Sequence, residues 1–215
     1  MLSRLREWLL DRSGLSPQIR ASFNKGLPRG VGWLNTLGST AMFLIAMQVV
    51  TGTFMAMYYS PHPDAAYESV RYLDHQVLMG RLVHGIHHYG ASAVVIVVFL
   101  HLLRTYFHGA YKPPRELVWL LGIGLFGLIL AFGFTGYLLP WDQKAYFGTQ
   151  VGTQIPASIP VVGPAIQQVL RSGEDVNALT LTRFYAIHVL LLNGIENVGD
   201  REIVVFKFFM VNPYP

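Results

Sequence analysis

One stretch limits what this chain can become more than any other: residues 81–104, RLVHGIHHYGASAVVIVVFLHLLR. Between Arg81 and Arg104 it is apolar over a length that crosses a bilayer. It carries a histidine near each end, His87 and His101, fourteen residues apart. At about 1.5 Å per helical residue that interval is roughly 21 Å along the axis, and the two imidazoles fall about 40° apart around it. They therefore share one face. Imidazole is a good metal ligand, and one histidine towards each side of a membrane fits axial ligation of two stacked haems. The expectation is a path for electrons across a bilayer.

Composition agrees with a membrane-embedded chain. Of 215 residues 52% are hydrophobic and only 13% are charged, against about 25% in a typical soluble domain; the mean hydropathy is +0.38. The net charge of +4 comes largely from the first thirty residues, which makes it a topology signal rather than a nucleic-acid footprint. There is no cysteine, which excludes disulfides, thiolate-held iron–sulfur clusters and thioether-attached haem within these residues. Nothing supports nucleic-acid binding or hydrolysis. No signal peptide is expected, because Met1 to Arg20 is broken by Arg4, Arg6, Glu7, Asp11 and Arg12.

Residues 1–29 set Leu2, Leu5, Trp8, Leu9 and Leu15 among six basic residues, which predicts an amphipathic helix on the membrane surface, with a short soluble helix as the plainer alternative. The first span is expected over Trp33 to Tyr59, containing Gly38, Gly52 and the polar Gln48, and Ser60-Pro61-His62-Pro63-Asp64 stops it. A loop of mixed charge reaches about Met79. The second span covers about Gly80 to Phe107, and a basic turn leads to the third, about Leu117 to Leu139. A long polar loop, 141–180, holds a short helix around Val162–Leu170, and a fourth helix begins near Leu181. Basic residues place the N-terminal arm and the turn after the second span in the cytoplasm, and the other two loops on the periplasmic side. The expected fold class is all-α: a membrane haem-binding four-helix bundle of three full transmembrane helices plus an incomplete fourth, behind an N-terminal interfacial helix. The expected divisions are 1–29 surface helix and linker, 30–192 bundle, and 193–215 atypical tail.

Topology then pairs the ligands. His87 follows one periplasmic loop and His188 the other, so they reach matching depths on the second and fourth helices and can share one iron. His101 lies in the cytoplasmic half and requires a partner about fourteen residues after His188. Gly38 and Gly52 are fourteen apart, as are Gly122 and Gly136; lacking side chains, they let a flat macrocycle approach the backbone at both depths. Small residues also simply let helices pack, and an intramembrane histidine also serves in packing or a proton path. The matched intervals favour ligation. His84 and His88 point elsewhere on the helix, and His62, His75 and His108 belong to loops or helix ends.

Motifs in order along about residues 28–192 carry a family resemblance. They are WLNTLGS at 33–39, QVVTG at 48–52, GAS at 90–92, HLLR at 101–104, PREL at 114–117, GYLLPW at 136–141, IPVVG at 159–163 and LTRFYAIH at 181–188. In these the chain resembles the N-terminal haem-binding part of cytochrome b, including the split cytochrome b6 form. The resemblance implies a membrane electron-transfer subunit of a quinol:cytochrome c (or plastocyanin) oxidoreductase, catalytically incomplete alone, which contributes to proton translocation. It implies haem b, with His87 and His188 on the haem near the periplasm and His101 on the one near the cytoplasm. Arg183 and Gln48 would sit by the first haem, and Arg104 and Trp119 by the second, since a guanidinium suits a propionate. Quinol is the implied substrate, with Gly136, Tyr137 and Gly148 as part of its site. Implied partners are a Rieske iron–sulfur protein, a cytochrome c-type subunit, a C-terminal cytochrome b segment or subunit IV-like chain, and the lipid bilayer. A dimeric complex in a bacterial inner membrane is the expected setting.

Departures from the family pattern also matter. His84 stands where the family usually has arginine, with Arg81 one turn earlier; Thr36 stands where the split form has cysteine; and no Pro-Glu-Trp-Tyr stretch occurs. After Leu192 come Glu196, Asp200, Arg201 and Glu202, each unfavourable at a helix centre by about 2.5–3.5 kcal/mol. The apolar run Phe184–Leu192 is short of the roughly 20 residues of a span, and no histidine follows His188. The expectation is one bis-histidine site, with His101 lacking an internal partner. A frameshift or premature end that replaced the fourth helix explains the tail; a diverged chain that keeps one haem or borrows a ligand is the alternative. A non-redox membrane scaffold or a non-functional truncated chain are the competing functional readings.

Overall fold

The computed structural model describes residues 32–109, 111–113 and 115–196. The surface helix expected at 1–29, and all but the first four residues of the 193–215 tail, lie outside them. The chain divides into two units, residues 1–33 and 34–215, and everything that follows concerns the second.

Among the described residues the secondary structure is helical, without strands. Helix α1 is Leu37–Ala56, α2 is Ala66–Gln76, α3 is Gly80–Phe107, and α4 is Glu116–Tyr137. Helix α5 is Gln143–Ala157, α6 is Gly163–Arg171, and α7 is Ala178–Glu196. Three of them, α1, α3 and α4, are long and apolar enough to cross a membrane. Their surfaces are apolar nearly all round, as a lipid-facing helix requires.

Helix α1 packs on α3, α3 on α4, and α4 on α7. Because α2 lies in the α1–α3 connection, and α5 and α6 in the α4–α7 connection, all three belong to one end of the bundle. The turn around Gly109–Lys112 marks the opposite end. One apolar cluster (Ala41, Val94, Val98 and Leu102, with Leu125 and Phe126 against it) joins α1, α3 and α4. Another (Ala66, Leu138, Val176, Leu181 and Phe184) ties α2 and the end of α4 to α7.

The second span falls where the sequence places it and the third lies within two residues of expectation; the first begins as a 3-10 turn over Trp33–Thr36, becomes α-helical at Leu37 and ends three residues before Tyr59. Two helices replace expected loops. In α2 the charges mask a short apolar face: Ala66 and Leu73 are buried and Arg71 pairs with Glu68 at 3.1 Å. In α5 the glycines and Pro156 suggest a loop, yet Asp142 caps it by accepting the Ala145 N–H at 2.7 Å. Ala145, Thr149 and Thr153, four apart, form its buried face. The glycines serve packing. A Cβ on Gly148 would lie 2.6 Å from Tyr137, and one on Gly152 2.4 Å from Phe134, so α5 lies close against α4 only with bare backbone there.

A buried arginine holds this end together. Arg171 is 3% exposed. Its Nε donates to Thr153 Oγ1 at 2.6 Å, Nη1 to the Glu174 carbonyl at 2.8 Å and Nη2 to the Gln150 carbonyl at 2.5 Å.

Candidate functional site

Two of the sequence-predicted residues meet directly. His87 on α3 and His188 on α7 have ring centroids 6.4 Å apart, with planes at 74°. Two imidazoles that share one metal at about 2.0 Å each, with half a ring added on either side, have centres about 6.3 Å apart. The spacing is what a bridging metal would require.

Each ring is placed by the helix packed beside it. Helix α1 presents Gly52 to His87: a Cβ there would lie 3.0 Å from Cε1 of the imidazole. Helix α4 presents Gly136 to His188, where a Cβ would lie 2.8 Å from Cε1. A helical Cβ leans towards the N-terminus, over the preceding turn. Glycine at 52 or 136 therefore uncovers the carbonyl four residues earlier, and those are the carbonyls the rings use. His87 is hydrogen-bonded to the Gln48 carbonyl, and His188 Nδ1 donates to the Phe132 carbonyl at 3.1 Å. A carbonyl only accepts, so at His188 the proton sits on Nδ1 and the Nε2 lone pair is left for a metal.

Two threonines complete the arrangement, and the sequence reading passed over both. Thr51 Oγ1 is 2.9 Å from His87 Nδ1, and Thr135 Oγ1 is 3.3 Å from His188 Nδ1. The signal that would have found them is a Thr-Gly dipeptide at 51–52 and again at 135–136.

The glycines thus have a more specific contact than the one expected of them. At 52 and 136 the space of the missing Cβ is taken by the histidine rings themselves. Gly38 and Gly122 are both buried within α1 and α4.

Gln48 reaches the same neighbourhood twice, through its carbonyl and through its amide. The amide nitrogen is buried and, among the described residues, has no hydrogen-bond partner. It sits where a side chain on Gly90 would be, 2.2 Å from that absent Cβ. His101 and Arg104 lie further along α3, 1% and 6% exposed, and Arg104 donates to the amide oxygen of Asn35. The partner interval for His101 falls near residue 202, outside the described residues. Trp119 stacks obliquely with Tyr106 at 6.1 Å and with Tyr111 at 6.4 Å. Arg183 is exposed and donates to the Val169 carbonyl of α6 at 2.7 Å.

Three other histidines have contacts elsewhere. His84 pairs with Asp74 of α2 at 2.8 Å, His88 packs edge-on against Tyr89, and His62 is largely exposed beside Asp64. Tyr137 and Gly148 do come together, in an open groove between α4 and α5 that Phe134, Gln143, Lys144 and Phe147 also line. Gly136 instead faces His188.

The donor set narrows the kind of metal. Among the described residues no three His, Asp or Glu side chains gather to hold a bare ion. A metal held by these two imidazoles would have two bonds from the described residues, and a porphyrin carries four more of its own.

Comparison with known proteins gives the same direction. Residues 23–211 match the family model described as cytochrome b/b6/petB, a match that runs past His188, where the last motif quoted above ends. The chain is 43% identical over 200 residues to the menaquinol:cytochrome c reductase cytochrome b subunit of Geobacillus thermodenitrificans, with 89% of each chain covered. It is 40% identical over 191 residues to cytochrome b6 of Synechococcus sp. (strain JA-3-3Ab), again with 89% of each covered. Among solved structures, a chain of a hyperthermophilic respiratory complex III superposes with a TM-score of 0.81 at 28% identity. That match covers 93% of this chain and 54% of the other.

Proposed function

The chain belongs to the cytochrome b/b6 family, and on that premise we propose that it is the electron-transfer subunit of a quinol:cytochrome c oxidoreductase, and that His87 and His188 are the residues that would hold a b-type haem. The family implies haem b as the cofactor. When bound, that group supplies a one-electron ferric/ferrous couple inside the membrane. The observation that carries the ligand assignment is the 6.4 Å ring separation, with Nδ1 of His188 taken up by the Phe132 carbonyl and Nδ1 of His87 by the Thr51 hydroxyl.

The chain's own residues have three tasks at this site. His87 and His188 would hold the haem. Gly52 and Gly136 make room for the rings, and the carbonyls of Gln48 and Phe132 orient them. The apolar helices around them exclude water, which favours a buried one-electron couple over side reactions. His101, with Arg104 and Trp119, belongs to the other depth of α3.

The groove between α4 and α5 suits a quinol: aromatic walls from Phe134, Tyr137 and Phe147, with Gln143 and Lys144 as its polar groups. We assign this end to the periplasmic side of a bacterial inner membrane and the N-terminus to the cytoplasm, from the basic residues of the N-terminal arm. A Rieske protein, a cytochrome c-type subunit and a companion C-terminal cytochrome b or subunit IV-like chain would complete a dimeric complex.

The test is haem content and redox potential in the purified complex. His87→Ala and His188→Ala should each remove one b-type haem per chain from the reduced-minus-oxidised spectrum. If either variant keeps the band and its midpoint potential, the ligand assignment is wrong. If the unaltered chain shows no b-type band, the non-redox scaffold replaces it.

A further inference from the structure

We infer that Thr51 and Thr135 are matched positioning residues that fix the tautomer and raise the donor strength of His87 and His188, and so set the potential of the haem these histidines hold. The inference rests on the haem assignment above. It begins from a repeated unit: Thr-Gly on α1 and Thr-Gly on α4. In each, the glycine admits a histidine ring from a neighbouring helix, the carbonyl four residues before the glycine meets that ring (at Nδ1 in His188), and the threonine hydroxyl meets Nδ1.

The direction of each hydrogen bond follows from the second contact of the hydroxyl. Thr51 Oγ1 donates to the Met47 carbonyl at 2.7 Å. Thr135 Oγ1 donates to the Ala131 carbonyl at 2.9 Å. A hydroxyl has one proton. With that proton directed back along its own helix, the oxygen can only accept from the imidazole. His188 Nδ1–H therefore faces two acceptors, the Phe132 carbonyl and the Thr135 hydroxyl, and His87 Nδ1–H faces the Thr51 hydroxyl.

A ring held so cannot present Nδ1 to a metal, and partial withdrawal of the Nδ1 proton makes Nε2 a stronger donor. A stronger donor favours ferric over ferrous iron and lowers the potential. Back-bonding alone does not account for the pattern, because Thr182 bonds the Ala178 carbonyl at 3.0 Å on an exposed face of α7 with the same geometry. What separates Thr51 and Thr135 is the adjacent glycine and the histidine nitrogen beyond it. The contact at His87 is the shorter, 2.9 Å against 3.3 Å, so Thr51 should have the larger effect.

The experiment is redox titration of the haem in the purified complex, with Thr51→Val, Thr135→Val and the two serine variants. Valine keeps the branched shape and removes the hydroxyl; serine keeps the hydroxyl and removes the methyl. Thr51→Val should shift the ferric-to-ferrous balance threefold to tenfold, about 30–60 mV upward at 59 mV per tenfold. Thr135→Val should shift it less in the same direction, and both serine variants should stay at the wild-type potential. Loss of haem in Thr51→Val but not Thr51→Ser also supports the inference. Equal shifts or equal losses in valine and serine variants would assign these positions to packing and overturn it, as would no shift in either valine variant. Absence of the haem from the unaltered chain would instead sink the haem assignment, a separate outcome.

Discussion

Alanine at position 136 should dislodge the haem by pushing one ligand. The added Cβ would lie 2.8 Å from Cε1 of His188, 3.3 Å from Nδ1 and 3.4 Å from Nε2. Carbon atoms rest about 3.5–4.0 Å apart, so the ring must retreat by about 0.7–1.2 Å. Metal–ligand bonds tolerate about 0.2 Å, so the retreat takes Nε2 out of bonding range and pulls Nδ1 from the Phe132 carbonyl. If α4 yields instead, the overpacking costs about 1–3 kcal/mol, a factor of about 5–150 in haem affinity. At Gly52 the corresponding contact is 3.0 Å, so the same substitution should be milder. Gly133, on the same helix as Gly136, has open space within 4 Å of its Cβ position. There alanine should stabilise α4 by about 0.5–1 kcal/mol and leave the haem in place. Haem per chain, measured as pyridine haemochromogen on the purified complex, should therefore be lowest for Gly136→Ala, intermediate for Gly52→Ala and unchanged for Gly133→Ala. Full haem with an unaltered potential in Gly136→Ala would refute the reasoning, and so would an equal loss in Gly133→Ala.

Arg171→Met should destabilise the α5–α6–α7 end by about 2–4 kcal/mol, because it strands two carbonyls and the Thr153 hydroxyl that the guanidinium now satisfies; thermal unfolding in detergent would show this, and an unchanged Tm would contradict it. Tyr59→Phe removes a 2.7 Å bond to the Leu139 carbonyl while keeping the ring near Tyr185, and should lower stability by about 1–2 kcal/mol in the same assay. Asp74→Asn breaks the charge on the partner of His84, a pair whose side chains are 27% and 25% exposed. The loss should be about 1 kcal/mol, seen as faster hydrogen exchange in α2 with the haem spectrum intact. Faster exchange throughout the bundle would instead give Asp74 a global role.

The spans were legible because a membrane imposes a simple rule on sequence: a run of apolar residues long enough to cross it, ended by charge, proline or glycine. The second span, Gly80–Phe107, meets that rule without ambiguity. The connecting helices do not. Helix α2 has an apolar face only a few residues long among charges, and α5 contains glycines that normally argue against a helix. Their reason lies in Tyr137 and Phe134 of α4, which no local pattern reveals. The same limit applies at the site. His87 and His188 follow from depth and interval, but Thr51 and Thr135 gain meaning only when a ring from another helix arrives beside them.

Sequence alone therefore determined which segments enter the membrane, the depth of each histidine along its helix, and the glycines at matching heights, since all of these depend on rise per residue and on transfer of side chains from water to lipid. The tertiary structure alone decided which ring meets which glycine, which carbonyl and hydroxyl fix its tautomer, and how far apart the two imidazoles stand. Those depend on the rotation and separation of helices about their axes, quantities that arise from packing between distant parts of the chain and leave no periodic trace in any one of them.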